Sequence, residues 1–192
     1  MRKSPQIVRS HRAAERIAAA REWLAAAEPT TETLVIAPTR EAADDLVRGI
    51  AATRGAVAGI HRLTFNRLIG LLASEAMVAA GLAPASDLTA QAIAARAVFH
   101  LAPSGKLKHF ASVTDRPGFA EALARTIAEL RQGGVAASAL SEVGVAGGEL
   151  AALLARFEEE LARARLIDRA GMLTLAIGAV ANKPRLDRKS VV

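Results

Sequence analysis

The chain of 192 residues has no cysteine, which excludes a disulfide scaffold, a thiolate metal site and a cysteine nucleophile, and fits a reducing cytoplasm. Hydrophobic residues make up 52% of it, which excludes intrinsic disorder, but much of that share is alanine, so the expected core is thin. The net charge of +6 is carried mostly by arginine and suits either phosphate recognition or a merely alkaline surface.

The opening residues, MRKSPQIVRSHR, lack the apolar stretch of a secretory signal. Gln6, Ile7 and Val8 read as a short first strand. Ser10 reads as the cap of a helix whose apolar members are Ala14, Ile17, Trp23 and Leu24. Glu28, Pro29, Thr30 and Thr31 break that helix. Residues 33–40, TLVIAPTR, are a β-branched and aliphatic run that ends abruptly at Ala37-Pro38-Thr39-Arg40. A helix is predicted over 41–53, with Leu46, Val47 and Ile50 on one side. Gly55 ends it, and 56–63 return as a third strand. Two consecutive strand–helix–strand crossovers imply a parallel sheet. Ligands of such sheets lie beyond the carboxyl ends of the strands.

After Thr64 and Phe65 the pattern is helical throughout. Helices are predicted over 66–80, stopped by Gly81, and over 85–101, capped by Ser86 or Asp87. Residues 102–114 are irregular and carry Lys106, Lys108 and His109. Asp115-Arg116-Pro117 opens a helix striped by Phe119, Leu123, Ile127 and Leu130. Another spans 147–165, with Leu150, Leu153, Leu154, Phe157 and Leu161. Asp168 caps the last helix, and the charge-free run 170–182 is too short to span a bilayer. The expected fold class is α/β: a parallel-sheet core of P-loop, superfamily 1 helicase type with an inserted all-helical subdomain. The expected domains are the core at 1–65, the helical insertion at 66–165, a helix returning to the core at 166–182 and a basic tail at 183–192.

The strand–helix corners carry the candidate chemistry. At the first, Arg9-Ser10-His11-Arg12 occupies the place of a glycine-rich phosphate loop, without its glycines and lysine. Arg9 and Arg12 suit binding of a phosphate rather than hydrolysis, or else are surface arginines beside a capped helix. At the second, Pro38, Thr39 and Arg40 offer a hydroxyl, a guanidinium and free helix N–H groups to a nucleic-acid backbone. Thr39 equally reads as a plain N-cap. At the third, Thr64 and Phe65 end a strand, where Phe65 either stacks on a base or packs under the next helix. His11, His61, His100 and His109 have no metal-ligand spacing. Glu158, Glu159 and Glu160 read as a solvated helix face, and no catalytic constellation occurs.

Several segments, taken in order, resemble one family. TLVIAPTREAADDL resembles motif Ia of superfamily 1 helicases, and IHRLTFNRLIGLL their next strand and helix start. LKHFASVTDRPGFAEALARTIAELRQGGV is similar to the helical subdomain of the AddB-like subunit of bacterial helicase–nucleases. LARFEEELARARLIDRAGMLTLA resembles the helix pair ahead of the Walker B strand, with Gly171 where the family tends to be acidic. The resemblance implies a protein of double-strand break repair that handles single-stranded DNA, with a partner helicase–nuclease subunit, in the cytoplasm and not on a membrane. By position it implies that Pro38, Thr39 and Arg40 touch the DNA backbone, with Thr64 and Phe65 beside it. Arg9, Ser10, His11 and Arg12 form a degenerate Walker A, so ATP and magnesium chemistry is not expected, and the chain alone is not expected to be catalytic. It is expected to be a fragment, because the Walker B strand, nuclease carboxylates and cluster cysteines do not follow. Two other readings are a nucleotide-dependent enzyme with an unorthodox loop at Arg9–Arg12, and a protein-interaction module.

Overall fold

The computed structural model describes residues 6–28 and 31–182, so Pro29, Thr30 and the expected basic tail at 183–192 lie outside the described residues. The chain divides into two compact units, Met1–Leu68 and Ile69–Val192.

In the first unit, helix α1 (Ala13–Ala25) precedes strand β1 (Thr33–Ala37), helix α2 (Arg40–Arg54) and strand β2 (Ile60–Thr64). β1 and β2 pair in parallel, from Thr33 opposite Ile60 to Ala37 opposite Thr64, with α2 as the crossover. Alternation along β1 sets its faces: Thr33 and Val35 are buried and Ile36 is exposed. Val35 packs with Leu24 of α1 and with Ala43 and Ile50 of α2. Gly55 ends α2 at φ 82°, and its N–H donates to Ala51 O.

Helix α3 (Phe65–Ala80) contains the division between the units. In the second unit follow strand β3 (Ala83–Pro84) and helices α4 (Asp87–Leu101), α5 (Phe119–Gln132), α6 (Ala137–Ser141) and α7 (Gly144–Arg163). Strand β4 (Leu166–Ile167) and helix α8 (Arg169–Asn182) complete it. Its core joins Ile93 and Ala97 of α4, Leu123 and Ile127 of α5, and Leu153, Leu154 and Phe157 of α7. A smaller cluster joins Ala73 and Met77 of α3 to Ile167 and, at its margin, Met172. Ser86 caps α4 through Thr89 N–H, and Asp168 caps α8 through Gly171 N–H at 2.9 Å. Arg131 of α5 grips both oxygens of Asp168, through Nε at 2.6 Å and Nη2 at 3.1 Å.

The expected parallel-sheet core of P-loop, superfamily 1 helicase type does not form. Most described residues are helical, and the strands make only two separate two-stranded parallel sheets, β1–β2 and β3–β4. Gln6, Ile7 and Val8 are not a strand, so one crossover stands where two were expected. A strand exists only by pairing, and three residues bordered by locally bonded polar groups have no ladder to join. Ser10 accepts from Arg12 N–H at 3.0 Å and donates to Glu15 at 2.6 Å, while Arg16 donates to Ser10 O. The expected third strand shrinks from 56–63 to Ile60–Thr64.

The expected solvated face of α7 also needs correction. Glu158 and Glu159 are exposed, but Glu160 is 1% exposed, within an ion-pair cluster. Glu149 is buried as well, and its carboxylate accepts from the backbone N–H groups of His109 at 2.7 Å and Phe110 at 3.1 Å. It thereby anchors the irregular basic segment before α5. Among the described residues no helix is long and apolar enough to cross a membrane.

Candidate nucleic-acid interface

The register of the first sheet decides where its corners fall. Ala37 lies opposite Thr64, so both strands end level, about 4.8 Å apart as adjacent strands must be. The following residues, Pro38-Thr39-Arg40 and Phe65, therefore leave along one rim of the sheet. Both corners turn into helices by the same device. The Thr39 hydroxyl accepts from Ala42 N–H at 3.2 Å and caps α2, and the Thr64 hydroxyl accepts from Arg67 N–H at 3.2 Å and caps α3. Two helix N-termini, each with unpaired N–H groups and the positive end of a dipole, thus stand beside each other.

Apart from the half-buried Thr64, the side chains on this rim are open to solvent. Pro38, Thr39, Arg40 and Arg67 are exposed, and Phe65 is 49% exposed rather than packed under α3. Arg40 Nε lies 3.8 Å from Asp44, a loose pair that leaves most of its donors free. Asp44 is held more closely by Arg62 of β2, at 3.1 Å and off the hydrogen-bonding angle, so the contact is an ion pair. No sequence pattern singles out Arg62 or Arg67. Arg62 is an arginine inside a strand, which periodicity marks only as a polar interruption.

Glu41 is held below its ordinary value by its own backbone N–H first, then by the Thr39 hydroxyl, with a smaller contribution from the charge of Arg40. Its carboxylate occupies the same electropositive environment that a phosphate oxygen would use.

Arg9, Ser10, His11 and Arg12 are placed apart from this chemistry. They precede α1, whose start Arg12 caps without a side-chain bond. The Ser10 hydroxyl is committed to Glu15 and to Arg12 N–H, and Arg12 pairs with Glu15 at 3.5 Å. Hydroxyl and guanidinium are thus spent locally rather than converged on a common point. Among the described residues no three histidine, aspartate or glutamate side chains gather as a metal site.

No family model matches the chain, and no curated protein matches it by sequence.

Proposed function

We propose that the rim formed by Pro38, Thr39, Arg40, Thr64 and Phe65 binds the backbone of single-stranded DNA. The level ending of β1 and β2 carries this reading, because it sets two threonine-capped helix N-termini, an exposed guanidinium and an exposed ring in one row. The paired N-termini and Arg40 suit phosphates, and Phe65 offers a face for a base. The motif resemblance supplies the setting: a cytoplasmic, AddB-like chain that guides a strand during processing of double-strand breaks, beside a helicase–nuclease partner and without ATP chemistry of its own.

The test is binding of a labelled oligothymidylate across a salt series. Arg40→Ala is expected to lower affinity and flatten the log–log salt slope by about 0.7, the effect of leaving one phosphate without its cation. Phe65→Ala is expected to weaken binding about tenfold with the slope unchanged. Affinity indifferent to salt and to both substitutions refutes the reading.

A further inference from the structure

The second unit carries a different arrangement at the surface between α4 and α7. Its centre is Glu160, a carboxylate 1% exposed. A buried carboxylate must be paired, and both of its oxygens need partners. Here three guanidiniums converge on it. Arg156 reaches Oε1 from one turn earlier on α7, Arg163 Nη1 lies 3.3 Å from the same oxygen, and Arg96 Nη2 of α4 lies 2.8 Å from Oε2. His100 Nε2 adds a contact at 3.6 Å.

The three arginines are not equivalent. Arg156 is largely buried, holds Glu159 at 2.9 Å and pairs Glu160 at Oε1, while the other oxygen, Oε2, has its ion pair from Arg96. Arg96 and Arg163 are each 60% exposed. Each touches the carboxylate through a single terminal nitrogen of its five-donor fork. Glu160 therefore acts as a buried anchor that holds two outward guanidiniums close together against their mutual repulsion. Three guanidiniums against Glu159 and Glu160 leave surplus positive charge on this surface.

An aromatic ring stands on α4 close to Arg96. Phe99 follows Arg96 by three residues on α4 and is 73% exposed. Its ring meets that of His100 edge-on at 5.6 Å, inclined at 73°. A phenylalanine this open leaves most of its hydrophobic area outside the fold. Two guanidiniums held at one carboxylate, with an exposed ring on the helix that carries one of them, match a ligand that alternates phosphate with flat base.

We propose that Arg96, Phe99, His100 and Arg163 form a second contact for single-stranded nucleic acid, separate from the β1–β2 rim, with the arginines on phosphates and Phe99 stacked on a base. The ligand class rests on the reading of the rim; the site does not. Oligothymidylate binding by the full chain separates the two. Phe99→Ala is expected to weaken binding about tenfold, and Arg96→Ala and Arg163→Ala each to flatten the salt slope by about 0.7, with an unchanged circular dichroism spectrum showing that the fold survives the loss of each arginine from Glu160. Duplex DNA of the same length is expected to bind worse than the single strand, because its bases are already stacked. If the Phe99 and arginine variants bind like wild type while Arg40→Ala and Phe65→Ala weaken binding, this site is refuted and the rim stands. If only the Phe99, Arg96 and Arg163 variants weaken binding, the rim is refuted and this site stands. Equal binding of duplex, or full displacement by polyglutamate, overturns the stacking role and leaves a simple anion patch.

Discussion

At the α2 corner Glu41 competes with any phosphate that approaches. Its carboxylate draws on its own N–H and the Thr39 hydroxyl, groups that a bound phosphate would share. Glu41→Gln removes the negative charge while keeping the length of the side chain, and is expected to tighten oligonucleotide binding and steepen its salt dependence. A titration beside wild type in the same salt series checks this. Glu149 makes a different point, about pH. Burial pushes its pKa up, but the backbone N–H groups of His109, Phe110 and Lys108 hold it, on balance, below the ordinary 4.5. A depressed folded-state value means that the ionised form stabilises the fold above about 4.5, and that this stability fades as pH falls through the folded value. Glu149→Gln is therefore expected to be less stable than wild type at neutral pH, with the gap narrowing in acid; urea midpoints at both pH values test it. Neither Glu149 nor Glu160 stands out in the sequence, for one reason. In a Glu158-Glu159-Glu160 run charge dominates the impression, yet Glu160 lies three residues after Phe157 and seven after Leu153, on the buried stripe of α7. Helical spacing counted through the charges finds it.

Single elements show where local chemistry is enough and where it is not. The caps Thr39, Ser86 and Asp168 sit where the sequence puts them, because capping depends on one side chain and the next three N–H groups. The amphipathic stripes of α5 and α7 are legible for the same reason, since a helix satisfies its own backbone. The 6–8 segment does not form its expected strand because a strand depends on a neighbour that no local pattern announces. The start of α7, at Gly144 rather than 147, is equally hidden from the sequence. At Gly147 an added Cβ would lie 2.1 Å from Leu140 O, so α6 packs onto α7 only where a side chain is lacking. Gly147→Ala is expected to force the two helices apart and to cost about 1–3 kcal/mol despite alanine's better helix propensity, read from urea unfolding. Gly171 is constrained by a side chain instead of backbone, since its Cβ would meet Ile167 Cγ1 at 2.6 Å. Its place beside the Asp168 cap leaves no room for the acidic residue that the motif resemblance anticipates there.

Across the whole chain the two units differ in how much apolar surface each can remove from water. The second has a core built from three long helices around Phe157, Ile127 and Leu153, all at most 2% exposed. The first relies on Leu24, Val35, Ala43 and Ile50, packed around two strands. A two-stranded sheet is a weak nucleus, and this one leaves Ile36 47% and Trp23 54% exposed beside a groove of about 880 Å³ lined by Val8, Leu34 and Leu46. The first unit should therefore be the less stable, at roughly 25 cal/mol for each Å² of apolar area that it fails to bury. The chain carries its own reporters of this difference. Trp23 is the sole tryptophan and belongs to the first unit, whereas far-ultraviolet circular dichroism is dominated by the helices of the second. Urea unfolding followed by both signals is expected to give two midpoints, with tryptophan fluorescence changing first, instead of one coincident transition. Saturating oligothymidylate should then raise the fluorescence midpoint, because the β1–β2 rim lies in the unit that Trp23 reports, and ligand held by a folded unit stabilises that unit by mass action. Coincident midpoints would mean that the two units unfold as one. A fluorescence midpoint unmoved by the oligonucleotide would mean that the strand is not held by the rim.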